Sequence, residues 1–266
     1  MTISQKYEVL QEYMTAWADK GLCVAFSGGV DSAVLLALAC QSGGAIHAVT
    51  MHTPFHAPSE PEAARLLAEE LGAVHTVMRL EELDEALLSN PVDRCYICKK
   101  WIFTNIQAYA DRHNLAVVLD GTNADDLGEY RPGLRALAQL GIKSPLAELG
   151  VTKAEVRAIA ELMGISVAKK PSAPCLATRF PYNAPVVLGK MAAVDKLEQL
   201  IRRLGCAVVR VRVYGDTLRI EVAADKLALL LEKREAVIAA AREEGFLYVT
   251  MDLEGFRSGS MDLAVR

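Results

Sequence analysis

The sequence predicts an α/β protein, a parallel sheet with helices on both faces, followed by a small α+β unit. Short apolar runs alternate with helix-like stretches between residues 22 and 119, a pattern that pairs strands in parallel and buries both faces of the sheet. The first run ends in the glycine pair Gly28-Gly29 and opens into a helix-like stretch instead of a hairpin. Four of the ten prolines, Pro171, Pro174, Pro181 and Pro185, lie between Lys169 and Val186. They forbid a long helix there and mark a joint between two parts.

In chain order, residues 22–26 read as a strand, SGGVDS as a tight loop, and 33–40 as a helix closed by Gly43-Gly44. Residues 45–51 read as a second strand, 61–71 as a helix closed by Gly72, and 73–78 as a third strand. Residues 101–113 predict a helix and 115–119 a buried strand, with Asp120, Gly121, Thr122 and Asn123 in the loop at its carboxyl end. Open α/β sheets bind ligands at such ends. The run TKAEVRAIAELMG carries a capping box, Thr152 with Glu155, and Gly164 as its stop. Its spacing reads as structural.

Beyond the joint, 190–204 predicts a helix, 207–213 and 218–222 a hairpin around Tyr214-Gly215-Asp216, 226–244 a helix and 246–253 a final strand. The expected organisation is a first domain at 1–170, a proline-rich joint at 171–185 and an α+β domain at 186–266.

With 266 residues, 52% hydrophobic and 23% charged, the chain can bury a substantial core. A net charge of -4 argues against bulk nucleic-acid binding, which draws on many Lys and Arg contacts to phosphate. Lys6, Glu8 and Glu12 interrupt the opening residues, and no later run approaches a membrane span. A cytoplasmic protein with no membrane partner is therefore expected. Six cysteines are too few for a disulfide scaffold in a chain of this length and point to metal binding or catalysis.

A glycine pair after a strand lets the backbone approach a ligand, and the helix start behind it presents N–H groups to an anion. Ser27, Gly28, Gly29, Val30, Asp31 and Ser32 thus form a candidate pyrophosphate cradle. It is no Walker loop, because the lysine of GxxxxGK[ST] is missing. Asp31 is instead a candidate for the magnesium that accompanies a nucleotide.

Cys95 and Cys98 form a CxxC, and Cys175 lies in the joint between Pro174 and the run LATR. Three thiolates suit a [4Fe-4S] cluster with one iron left open. Unlinked thiols, a redox pair at the CxxC, or half of a four-ligand zinc site are the other readings. Cys23 and Cys40 read as small buried hydrophobes, and Cys206 is the remaining candidate for a fourth thiolate. Tyr96 either stacks on a flat ring near the cysteines or packs beside a helix start. Asp125 and Asp126 are either solvated carboxylates of an Asx-rich turn or ligands for magnesium or substrate. The period of two places Arg210 and Arg212 on one strand face, with Arg219 and Glu221 alternating on the partner strand. That face is either solvated or a phosphate site. The five histidines show no metal spacing.

SGGVDS resembles the PP-loop of the ATP pyrophosphatase superfamily, whose members cut ATP between its α and β phosphates and adenylate a substrate oxygen. The resemblance implies the PP-loop, adenine nucleotide alpha hydrolase-like fold. It implies that the end of the second strand, with Met51, borders the adenine, and that Gly121-Thr122 is the loop facing it. Over nearly the whole chain RCYICKK, GTNADD, SPLAELGVTKAEVRAIAELMGI, PCLATRFPY and YVTMDLEGFRSGSMD resemble the LarE family, pyridinium-3,5-biscarboxylic acid mononucleotide sulfurtransferases.

That resemblance implies adenylation of a carboxylate by ATP and Mg2+, then conversion to a thiocarboxylate on the route to the nickel-pincer nucleotide. In members with only the cysteine matching Cys175, that residue gives up its own sulfur and becomes dehydroalanine. Members with all three cysteines hold a [4Fe-4S] cluster that carries an extra sulfide. The three cysteines here resemble the second kind. The resemblance also implies a substrate-phosphate site at Thr178, Arg179, Arg210, Arg212 and Arg257, and a homo-oligomer, a hexamer.

Two other readings compete. tRNA thiolation by a PP-loop enzyme predicts a basic face and SGGKDS, and both the acidic balance and Val30 weigh against it. A nucleotide-binding regulator that has lost catalysis would have no need of Asp31, Ser32 and Cys175.

Overall fold

The computed structural model describes residues 1–80, 83–128, 132–170, 174–257 and 259–261. The first three residues of the predicted joint, the end of the predicted last domain, and Ser258 of the terminal motif lie outside the described residues. In chain order the elements are α1 (Ile3–Ala18), β1 (Leu22–Ala25), α2 (Val30–Ser42), β2 (Ile46–His52), α3 (Glu60–Glu70), β3 (Val74–Arg79) and α4 (Glu85–Leu88). They continue with α5 (Arg94–Arg112), β4 (Val117–Leu119), α6 (Gly133–Gln139), α7 (Pro145–Glu148) and α8 (Lys153–Leu162). The last are α9 (Leu188–Arg203), β5 (Val209–Tyr214), β6 (Thr217–Val222), α10 (Leu227–Glu232), α11 (Arg234–Glu243) and β7 (Tyr248–Met251).

The chain divides into two compact units. The first takes Met1–Thr53, Pro58–Glu82 and Asp93–Ala173; the second takes Pro54–Ala57, Leu83–Val92 and Pro174–Arg266. The sequence places one boundary at the joint, whereas in the structure the second unit also draws in two short stretches that follow β2 and β3.

The first unit is built on a four-stranded sheet in the order β3-β2-β1-β4, parallel at every pairing. Strand side chains alternate between two cores, as a period of two requires. Leu22, Val24, Ala48, Val117 and Leu119 pack with residues of α1, α2, α3 and α8. Cys23, Val49, Met51 and Val118 pack on the other face with Phe103, Ile106 and Tyr109 of α5 and Leu137 of α6. Burial on both faces explains why these strands read as continuous apolar runs. It also pushes the Cys23 thiol up to about 12, so Cys23 is inert filling.

The second unit has a three-stranded sheet in the order β5-β6-β7. β5 and β6 form the predicted hairpin, closed by Gly215 at φ +62°, and β7 runs parallel to β6. Met191, Val194, Leu197 and Ile201 make the buried seam of α9. Arg212 stands directly opposite Arg219 across the hairpin, a repulsive pairing. Glu221 relieves it by accepting from Arg212 Nη2 at 2.8 Å and from Arg219 Nη2 at 3.0 Å.

Several elements differ from the sequence reading, which also left out the short helices α4, α6 and α7. The helix expected at 101–113 begins at Arg94, so the CxxC lies on its first turns. The helix expected at 226–244 is two helices that meet at Lys233. No glycine or proline marks that break, so periodicity reads through it. α1 was not anticipated, although Thr2 and Gln5 form a complete capping box at its start.

Candidate active site

The cradle forms where β1 ends. Gly28 has φ +68°, which favours glycine, and a Cβ there would also sit a tight 3.3 Å from the Ala64 backbone. The loop is cross-tied by its own serines: Ser32 Oγ donates to the Gly29 carbonyl at 3.1 Å, and Gly29 N–H donates to Ser27 Oγ at 3.3 Å. Gly29 is the N-cap of α2 and supplies no side-chain cap. The helix therefore starts with backbone donors directed at the loop, the arrangement that receives phosphate. Val30 is 3% exposed and anchors the helix in the core.

The loop after β4 closes against this start. A Cβ at Gly121 would lie 3.1 Å from Ser32 N and 3.2 Å from Asp31 Cβ, a tight approach that glycine relieves. Asp31 accepts from Asn123 Nδ2 at 3.2 Å and pairs with the ammonium of Lys153. Lys153 is the residue the sequence reading passed over as part of an ordinary capping box. Its signal was present: a cation in the first turn of a helix opposes the helix dipole, which favours acids there. Lys170 Nζ also donates to the Gly28 carbonyl, at 3.2 Å.

Asp120, which the sequence places at the ligand-binding end of the sheet without a role, is buried at the carboxyl end of β4. It accepts from Thr122 N at 3.1 Å, Thr122 Oγ1 at 2.8 Å, Ser144 Oγ at 2.6 Å and Lys99 Nζ at 3.2 Å. These bonds fix the Gly121-Thr122 turn. Asp125 and Asp126 serve the same loop: Asp125 accepts from Lys153 N at 2.9 Å, and Asp126 from Asn123 N at 3.0 Å. Met51, at the end of β2, is 9% exposed and packs against the α5 face of the sheet.

A polar relay sets the strand that leads into the cradle. Thr50 Oγ1 donates to the Phe26 carbonyl at 2.6 Å, so His75 Nε2–H donates to Thr50 Oγ1 at 2.7 Å. His75 Nδ1 is buried without a hydrogen-bond partner, so a second proton there would find no acceptor. Burial, and then Arg65, hold the His75 pKa below the ordinary histidine value. Burial, and then His113, do the same for His47. The unfolded chain then binds these protons more readily than the folded one, so stability falls as pH drops through about 6.5. We expect the melting temperature to fall between pH 7.5 and 5.5, and His75→Gln to make that fall smaller. An unchanged pH slope in the variant would contradict the relay.

Cys95 is exposed and Cys98 half-buried, one helical turn apart on α5. Tyr96 between them donates its hydroxyl to Gln139 Oε1 at 2.8 Å and lies under the Arg135 guanidinium, 3.9 Å from the ring centroid. Its ring is thus already stacked by a cation. Cys95 and Cys98 in the first unit and Cys175 in the second each offer a thiolate, the donor that an iron-sulfur cluster takes. Among the described residues no three His, Cys, Asp or Glu side chains are grouped to hold a metal ion.

In the second unit, half-buried Cys175 precedes a 3-10 turn, Leu176–Arg179. Its carbonyl accepts from Thr178 Oγ1 at 2.8 Å and Arg179 Nη1 at 3.3 Å. Arg179 is 2% exposed. Its guanidinium grips Glu198 through Nε at 2.8 Å and Nη2 at 2.9 Å, and also the Pro174 carbonyl through Nη1 at 3.0 Å. Arg212 is likewise buried against Glu221 and donates to the Thr178 carbonyl at 2.9 Å. Arg210 lies over the Phe256 ring at 5.1 Å, and burial, then Arg179, pull its pKa down to about 10. Arg257 is more open and pairs with Glu254 at 2.7 Å. The predicted phosphate arginines are thus gathered in one unit, and carboxylates already engage Arg179, Arg212 and Arg257. Cys206 is buried, and burial raises its thiol pKa.

Comparison with known proteins places this architecture. The asparagine synthase family model matches residues 11–129, the stretch that carries the cradle and the parallel sheet. The chain is 36% identical to pyridinium-3,5-bisthiocarboxylic acid mononucleotide synthase of Lactiplantibacillus plantarum over 242 residues, 90% of this chain and 88% of that protein. The chain belongs to the LarE family. An uncharacterized protein of Synechocystis sp. is also 36% identical, over 98% of both chains. NH(3)-dependent NAD(+) synthetase of Pyrococcus horikoshii is 27% identical over 62% of this chain. A LarE-family chain with this cradle is an enzyme of the ATP pyrophosphatase type. Among the described residues no helix is long and apolar enough to cross a membrane.

Proposed function

We propose that this enzyme adenylates a carboxylate of pyridinium-3,5-biscarboxylic acid mononucleotide and then converts it to a thiocarboxylate, a step toward the nickel-pincer nucleotide. The observation that carries the reading is the cradle: a helix start within SGGVDS that has no side-chain cap, with Asp31 and Lys153 paired at its edge. The helix start and Lys153 bind the phosphates, while Asp31 exchanges the ammonium for magnesium when the nucleotide enters. A substrate carboxylate oxygen attacks the α phosphorus and pyrophosphate leaves. The acyl adenylate so formed is a good electrophile, and a sulfur nucleophile at its carbonyl carbon expels AMP. Thr178, Arg210, Arg212 and Arg257 bind the substrate phosphate in this reading, with Arg179 ordering them through Glu198, and Tyr96 faces the pyridinium ring.

We assign the sulfur to a [4Fe-4S] cluster held by Cys95, Cys98 and Cys175, which when bound supplies sulfide as the nucleophile. In the alternative, Cys175 attacks as thiolate, forms a thioester, and loses its Cα–H and Cβ–S bonds to leave dehydroalanine and the thiocarboxylate. Iron and acid-labile sulfide in anaerobically prepared protein separate the two. About four irons per chain, lost in Cys95→Ser, support the cluster; no iron after reconstitution leaves Cys175 as the donor. Release of pyrophosphate that depends on the pyridinium substrate tests the reading as a whole. The homo-oligomer belongs to the same proposal, and light scattering that gives a monomer mass would remove it.

A further inference from the structure

We infer that Asn90 is a positioning residue for Cys175, a role whose bearing on sulfur transfer rests on the function proposed above. Asn90 is fully buried and has φ +52°, a conformation that Asn adopts more readily than most side-chain-bearing residues. Its amide donates twice, to the Phe180 carbonyl at 3.0 Å and the Pro181 carbonyl at 2.7 Å, and its own carbonyl accepts from Asn183 N at 2.8 Å. Three hydrogen bonds from one residue therefore fix the irregular chain that leaves Arg179.

The stretch around Asn90 and the one after β2 complete the brace. Val186 N donates to the Leu88 carbonyl at 2.8 Å, and Leu176 N donates to the Phe55 carbonyl at 2.9 Å. Together with the Arg179 bonds to Pro174 and Cys175, backbone on both sides of the thiol is tied down while the thiol itself stays half-exposed. Pro174, Pro181 and Pro185 forbid this segment a helix of its own. A buried amide is costly unless its bonds are made, so it specifies one register of the segment where an apolar side chain would tolerate several.

The test uses full-length, reduced, metal-stripped protein and measures iodoacetamide alkylation cysteine by cysteine, by peptide mass spectrometry. Asn90→Gly keeps the positive φ and deletes the amide. Alkylation of Cys175 should rise about tenfold while that of half-buried Cys40, in the other unit, is unchanged. Thiocarboxylate formed per pyrophosphate released should fall by a similar factor. A Cys175 rate that stays level, falls, or rises in step with Cys40 would overturn the inference. Should the variant fail to fold, hydrogen exchange in the unaltered protein decides: slow exchange at Asn183, Val186 and Leu176 N–H supports the brace, and fast exchange at Asn183 refutes it. Alkylation needs no substrate, so absence of pyrophosphate release in the parent would remove the proposed function and leave this inference to its own test.

Discussion

Cys175→Ser should reduce thiocarboxylate formation to background while pyrophosphate release continues for a single turnover. The adenylation half needs the cradle, Asp31 and Lys153, all in the first unit, and none of these depends on a thiol. The second half needs sulfur, and a serine hydroxyl at neutral pH is neither a strong nucleophile nor a metal ligand of comparable affinity. The substitution keeps the Cys175 carbonyl, which accepts from Thr178 and Arg179. Product formation is expected to fall by at least about 1,000-fold, as on removal of a covalent nucleophile. Cys95→Ser tells the two sulfur routes apart: it should match Cys175→Ser if a cluster delivers the sulfur, and leave one turnover intact if Cys175 gives up its own.

Lys153→Met should cut substrate-dependent pyrophosphate release by about 100- to 1,000-fold, the range seen when one preorganised charge is taken from a developing anion. The lysine side chain is 32% exposed and its partner Asp31 19% exposed, so their ion pair contributes little to stability. The melting temperature should therefore move by only a few degrees. Lys153→Arg should restore part of the activity, because charge is kept and reach altered. An activity loss matched by unfolding would assign Lys153 a structural role instead.

Much of this was legible in the sequence because the physics involved is local. The apolar runs of β1, β2 and β4 and the glycines of the cradle are short-range signals, and each fell where expected. The Thr152 capping box was equally legible, yet it hid Lys153 beside it, since the ion pair to Asp31 joins residues 122 positions apart. Asp120 was readable only as the last residue before a turn; its bonds to Ser144 and Lys99 come from other elements. Arg210 and Arg212 were correctly placed on one strand face, but their burial depends on tertiary packing that the period of two leaves undetermined. Asn90 carried no motif at all. Its role arises because a stretch embedded in the first unit's sequence joins the second.

The most direct measurement of the central claim follows the fate of ATP when anaerobically prepared protein is mixed with Mg-ATP and pyridinium-3,5-biscarboxylic acid mononucleotide. The account predicts pyrophosphate and AMP in equal amounts, both absent without the pyridinium substrate, together with a thiocarboxylate product identified by its mass. Formation of ADP and phosphate, or pyrophosphate release that ignores the pyridinium substrate, would contradict it.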